Sequence, residues 1–136
     1  MEIVLALVSG VFIGAVTGVQ GISWQEVTIE GQSNHAGTTP MNMRHDPAYV
    51  AANIAVFLRD LAARFGGHQV CTVGKIDLHP NLINVVPARA VMTVDIRNTD
   101  EQLLQKAEAE VAAEGAGTNR QIVISVPGET GRRIVD

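Results

Sequence analysis

Positive charge is scarce along this chain: ten Lys and Arg stand against fourteen Asp and Glu, for a formal net charge of −4, and aromatic residues make up only 4%. A nucleic-acid binder needs a basic stripe for phosphates and flat rings on which bases stack, so nucleic acid is not an expected partner. Cysteine is nearly absent. With Cys71 alone no internal disulfide can form, which fits a reducing compartment and sets the expectation of a cytoplasmic protein. Cys71 lies in an apolar strand and reads as a small core residue rather than a nucleophile. The four histidines, His35, His45, His68 and His79, stand in separate loops or turns without ligand-like spacing, so no metal site and no cofactor are expected within the chain. The phosphate-cradling Gly-x-x-x-x-Gly-Lys and Gly-x-Gly-x-x-Gly patterns and the Gly-x-Ser-x-Gly elbow are missing as well. At 136 residues the chain has room for one domain with a real core and none for a second catalytic domain.

What is present begins with an apolar run from Ile3 to Val19, in which Gly10, Gly14 and Gly18 give the small-xxx-small spacing of packed membrane helices. The run lacks flanking Lys or Arg, carries Glu2 where a signal peptide wants positive charge, and is rich in Gly, Val and Thr. A strand over Ile13–Val19 is therefore expected rather than a membrane span, and residues 1–22 form an apolar region leading into a domain over 23–127, with a tail over 128–136.

Within that domain the periods change in a definite order. Ser23–Glu30 alternates, with Val27 and Ile29 on one face and Glu26, Thr28 and Glu30 on the other. Asp46-Pro47 predicts a helix start, Val50, Ile54, Phe57, Leu58, Leu61 and Phe65 predict its buried face, and Gly66-Gly67 its end. Gln69–Leu78 and Ala88–Asn98 read as strands. In the latter Ala90, Met92, Val94 and Ile96 share one face, so Thr93, Asp95 and Arg97 share the other. Thr99-Asp-Glu-Gln102 has the capping-box pattern before a second helix lined by Leu104, Ala107 and Val111 and running to Gly115, and Gln121–Val126 is the last strand. Strand, helix, strand, strand, helix, strand predicts an α+β, ferredoxin-like two-layer sandwich with an extra N-terminal strand.

The polar residues that could carry chemistry collect in loops. His35 lies in the stretch Gly31–Arg44 between small neighbours, where an imidazole can face a ligand or a second protein surface, or simply cap a turn. Thr38, Thr39 and Arg44 add donors, and Gly31 and Gly37 allow backbone to approach closely. With Asn84 and Arg97, His35 makes chemical sense as a reader of anionic and carbonyl groups: Arg grips a carboxylate with parallel donors, Asn supplies a neutral donor, and His donates to an oxygen on which charge develops. The bland alternative is equally open, with Arg97 pairing Asp95 on its own strand face and Asn84 shaping its loop.

Ser33-Asn-His-Ala-Gly-Thr-Thr-Pro-Met41 with Arg44 and Asp46, then Val73-Gly-Lys-Ile76, Pro80-Asn-Leu-Ile-Asn-Val-Val-Pro87 and Asp95-Ile-Arg97, resemble the lid or dimerisation domain of the M20-type metallopeptidase superfamily. The resemblance runs from about Ile13 to Val126 and is nearest to the amidase, hydantoinase/carbamoylase branch. It implies a homodimeric two-domain hydrolase of non-peptide C–N bonds, acting on a small-molecule substrate with a divalent metal (zinc, manganese, cobalt or nickel) held by a catalytic domain that these residues do not include. The chain alone is accordingly expected to be inactive. It also implies that His35 reaches the partner's active site to hold the scissile carbonyl, while Asn84 and Arg97 hold the substrate carboxylate. Ile22 after Gly21, where some allantoate amidohydrolases have Gln, leans toward an N-carbamoyl-L-amino acid. The alternative reading is a stand-alone ferredoxin-like oligomerisation or ligand-binding module without catalysis.

Overall fold

In the computed structural model, which describes residues 15–117 and 123–125, two helices lie on one face of an antiparallel sheet. The strands are β1 (Gly21–Glu30), β2 (Asn34–His35), β3 (Val70–Thr72), β4 (Ile76–His79), β5 (Val85–Val86), β6 (Arg89–Asn98) and β7 (Val123–Ser125). The helices are α1 (Pro47–Phe65) and α2 (Glu101–Gly117). The main sheet runs β3-β6-β1-β7 with β4 also on β6, and β2 and β5 form a small ladder of their own. Counting β3 and β4 as one interrupted strand, this is the ferredoxin-like order expected from the sequence.

The centre of the sheet is the pairing of β1 with β6, in register from Gly21 opposite Asn98 to Glu30 opposite Arg89. Because side chains alternate across a strand, this register places Val27 and Ile29 beside Ala90, Met92, Val94 and Ile96 on the helix side. All six are buried, together with Val50, Ala51, Ile54, Leu58 and Leu61 of α1 and Leu104, Ala107 and Val111 of α2. Each large aliphatic side chain so buried contributes roughly 1.5–3 kcal/mol, and they form one continuous core. Cys71 packs partly against that core, and burial pushes its thiol pKa up, as for an unreactive interior thiol.

Helix α1 begins as its sequence dictates. Asp46 Oδ1 accepts from the amides of Ala48 (2.9 Å) and Tyr49 (3.4 Å) with Pro47 in the first turn, and Gly66 ends the helix at φ 63°, a conformation that side chains with a Cβ rarely adopt. Helix α2 starts one residue later than the capping-box reading requires. Asp100, not Thr99, is the cap: its Oδ1 accepts from Gln102 (2.8 Å) and Leu103 (3.0 Å), while Asn98 Oδ1 takes the Asp100 amide (2.9 Å). Asp and Thr both serve as caps, and the tie is broken by Asn98, whose buried side chain also donates to Gln69 Oε1 at 2.8 Å.

Three further expectations are corrected. The strand expected over Gln69–Leu78 is interrupted: Cys71 faces Ile96 and Ile76 faces Met92, so one extra residue is inserted around Val73-Gly74-Lys75, a β-bulge. The long loop expected over His79–Pro87 contains β5, and its His79–Pro80 peptide is cis. The strand expected over Ile13–Val19 is not formed in its described part, for residues 15–20 have no regular secondary structure; the described partners of β1 are β6 along its whole length and β7 at Thr28–Glu30. Residues 1–14, the tail 128–136 and the ends of the strand expected over Gln121–Val126 lie outside the described residues. No helix among the described residues is long and apolar enough to cross a membrane.

Gly31 joins the scaffold to the polar loop. A Cβ there would lie 2.3 Å from the His45 carbonyl oxygen and 2.7 Å from the Pro47 ring, and neither rigid group can swing away. Gly31→Ala is expected to lower the stability of the chain by roughly 1–3 kcal/mol, read as a lower midpoint in urea. An unchanged midpoint would show that β1 and the start of α1 are not held this closely.

Candidate functional site

Two separate places carry the polar side chains singled out from the sequence. The first lies where β1 ends. Gly31 N–H donates to Ala88 O (2.7 Å) and Gln32 N–H to His45 O (3.0 Å), Ser33 Oγ donates to Val86 O (3.1 Å), and β2 pairs Asn34 with Val86 and His35 with Val85. Ala36 N–H then reaches Asn84 O at 2.9 Å. The His35 and Asn84 loops are therefore laced together by backbone bonds, with both residues exposed.

Within this place the His35 ring has a defined orientation. Its Nδ1 accepts from the Gly37 amide at 3.0 Å, so the neutral imidazole carries its proton on Nε2 and presents a donor. Arg44 has a different role from the ligand donor that its position suggested. Its Nε donates to Thr39 O (3.0 Å) and its Nη2 to Ala36 O (2.6 Å), closing the loop from inside. Asn84 shapes the neighbouring loop through its backbone oxygen, which is the bland reading, while its side chain has no hydrogen-bond partner among the described residues.

The second place is the sheet face away from the helices. Arg97 lies on it, as the alternation predicts, and it pairs with Asp95: Nε to Oδ1 at 2.9 Å and Nη2 to Oδ2 at 2.7 Å. Trp24, opposite Asp95 in the ladder, donates its indole N–H to Oδ2 at 2.7 Å. Partial burial pushes the Asp95 carboxyl up, but the bonds from Arg97 and Trp24 and the guanidinium charge together outweigh it and hold the pKa below its ordinary value. The bond to Asp95 likewise holds the Arg97 guanidinium in its charged form. Beside the pair is a groove of about 560 Å³ lined by Trp24, Glu26, Thr72, Gly74, Thr93 and Asp95 among others.

The structure brings His35 and Asn84 together and leaves Arg97 apart. Arg89 marks the loop end of β6, opposite Glu30 and His79, and Arg97 lies eight residues further along the same strand, on the order of 25 Å at about 3.3 Å per residue. Trp24 and Asp95 were not anticipated as parts of a site. The alternation places each on the open face, but only the cross-strand register sets them opposite one another. Among the described residues no three His, Cys, Asp or Glu converge as metal ligands.

Comparison with known proteins follows the same lines. The model of the peptidase dimerisation domain family matches residues 17–120. Allantoate amidohydrolase of Escherichia coli is 41% identical over 97 residues, covering 71% of this chain and 24% of the relative. The N-carbamoyl-L-amino acid amidohydrolase of Geobacillus stearothermophilus is 41% identical over 90 residues, covering 66% and 22%. A crystal structure of an amidase of the hydantoinase/carbamoylase family from Burkholderia multivorans superposes with a TM-score of 0.80 at 31% identity, covering 90% of this chain and 31% of that one. The chain thus spans about a quarter of the length of the curated relatives it matches.

The Asp95 cluster has a pH signature that the single tryptophan can report. A carboxyl with a depressed pKa stays ionised until the pH falls below its ordinary value of 3.8, and its contribution to stability is present above that value and is lost as pH falls through the depressed one. Trp24 fluorescence is expected to change with a midpoint below 3.8, and the change should vanish in Asp95→Asn. A midpoint above 3.8 would contradict the arrangement.

Proposed function

This chain belongs to the M20-type peptidase dimerisation domain family, and we propose on that basis that it is the lid and dimerisation domain of a homodimeric, metal-dependent amidohydrolase acting on non-peptide C–N bonds. The favoured substrates are N-carbamoyl-L-amino acids. The names of the relatives are divided between allantoate amidohydrolase and N-carbamoyl-L-amino acid amidohydrolase, and Ile22 after Gly21 is what favours the second. The divalent metal that the family implies, zinc, manganese, cobalt or nickel, has no matching donor set among the described residues, so the roles assigned to this chain are binding and orientation.

Attack on a carbamoyl or amide carbonyl builds negative charge on its oxygen. A donor aimed at that oxygen acts mainly in the transition state, whereas a carboxylate clamp acts on substrate and transition state alike. His35, with its Nε2–H directed outward by the Gly37 bond, suits the first role, and Arg97 the second. Asn84, in the loop beside His35, supplies a neutral donor to the same substrate carboxylate that Arg97 of the second copy grips. The observation that carries the reading is the separation along β6. Arg97 stands eight residues along β6 from Arg89, the strand end nearest the His35 loop, on the order of 25 Å at about 3.3 Å per residue, so a substrate a few ångströms long that uses both residues requires two copies.

The test uses an active enzyme that contains this domain. His35→Ala is expected to lower kcat by on the order of a hundredfold with little change in KM, and Arg97→Ala to raise KM chiefly for substrates that keep their carboxylate. With substrate near the KM of the unaltered enzyme, where each variant alone is nearly silent, mixing the two should restore activity to roughly a quarter of the unaltered enzyme, because random exchange makes about half the dimers mixed and each mixed dimer has one complete site. No recovery after verified subunit exchange would show that the two residues do not meet across a dimer.

A further inference from the structure

We propose that Asp95 and Trp24 are positioning residues for Arg97: they hold one edge of its guanidinium so that the other edge is presented, already oriented, to the carboxylate of a ligand. The proposal rests on the reading that Arg97 binds such a carboxylate, and adds the two residues that make it able to. A guanidinium has five N–H donors in a rigid plane, and two of its edges can each meet a carboxylate with parallel bonds. Asp95 occupies the edge formed by Nε and Nη2, at 2.9 and 2.7 Å. The edge formed by Nη1 and the second Nη2 hydrogen is left, and no described residue accepts from it.

Asp95 can serve as an anchor only if it is itself fixed. Its Oδ2 receives both Arg97 Nη2 and the Trp24 indole N–H, each at 2.7 Å. Trp24 stands opposite Asp95 in the β1–β6 register, and Thr72 faces Asp95 from the other side, in β3. Arg97, Asp95 and Trp24 thus come from two neighbouring strands of a packed sheet, with β3 flanking them. An exposed arginine side chain otherwise loses rotamer freedom on binding, at a cost that a pre-oriented fork avoids. The Asp95 charge also opposes a second carboxylate, so orientation and repulsion act in opposite directions, and the proposal is that orientation prevails.

The experiment follows the 136-residue chain by NMR, using the Arg97 Nε–H and the single indole N–H of Trp24 as probes, with N-carbamoylglycine and its primary amide as ligands. The carboxylate is expected to shift both resonances saturably and the amide to bind far more weakly. Asp95→Asn, which keeps the shape but loses one acceptor, should weaken carboxylate binding by roughly tenfold, the size of one charge-assisted hydrogen bond, and leave the amide unchanged. Trp24→Phe should act in the same direction, read at Arg97. Without ligand, the Arg97 Nε–H should exchange slowly with water in the unaltered chain and quickly in Asp95→Asn. Carboxylate binding that is unchanged or tighter in Asp95→Asn, while Arg97→Ala abolishes it, would overturn the proposal and leave the Arg97 reading standing, as would rapid Nε–H exchange in the unaltered chain. Carboxylate binding that survives Arg97→Ala, or fails in the unaltered chain, would overturn the reading itself and the proposal with it.

Discussion

The antiparallel pairing of β1 with β6 is the constraint on which the other features depend, because it decides at once what is buried and what is presented. Ten consecutive pairs run from Gly21–Asn98 to Glu30–Arg89, and a slip of one residue would turn every side chain of one strand to the opposite face. Val27 and Ile29 would leave the core, and Trp24 would no longer meet Asp95. Core packing and the polar cluster on the open face are therefore two outcomes of one register. The aliphatic residues of α1 and α2 lock it by closing over the helix side, where a misplaced polar side chain would cost about 1–3 kcal/mol if left unpaired. Among the described residues no buried side-chain polar atom lacks a partner.

The two ends of that ladder are finished in different ways. At the Gly21 end, Asn98 and Gln69 tie the turn after α1 to β6, with Gln69 Nε2 donating to the Val70 and Arg97 carbonyls at 3.2 Å each. The backbone beneath Arg97 is thereby fixed. At the Glu30 end the chain leaves the sheet through Gly31 into a loop that has little apolar burial of its own. Backbone bonds across to residues 84–88 and the two carbonyls held by Arg44 supply the rigidity that a core supplies elsewhere. Both ends thus present polar groups from ordered backbone, the condition for binding without a large ordering cost.

How much of this could be read from residues alone follows from the range of each interaction. The helix faces and strand faces were legible because they are local periodicities: Leu58, Leu61, Leu104, Ala107, Met92 and Val94 are buried as their spacing predicts. So was the start of α1, since Asp46 and Pro47 act on their nearest neighbours. The capping of α2 by Asp100 was not, because Thr99 and Asp100 are both able caps and the choice depends on Asn98 bonding to Gln69, a residue 29 positions away. The bulge between β3 and β4 was hidden for the same reason, being a property of two strands together. At the site, the bidentate Arg97–Asp95 pair was one of two open alternatives, as a spacing of two on a strand always permits, but Trp24 could enter only once register was known. The gathering of His35 with Asn84, far from Arg97, is a matter of topology that no spacing in the sequence expresses.

The central claim is that the loop carrying His35 and the strand end carrying Arg97 lie at opposite ends of one chain. Spin labels at Thr38→Cys and Thr99→Cys, two exposed positions flanking those places, with Cys71→Ser removing the native thiol, would measure that separation by pulsed electron resonance. Dilution with unlabelled chain keeps the reading within one copy. A narrow distribution centred at roughly 25–35 Å is expected from the length of β6 at about 3.3 Å per residue. A distribution centred below about 15 Å would contradict the claim, since His35 and Arg97 could then meet one ligand within a single chain.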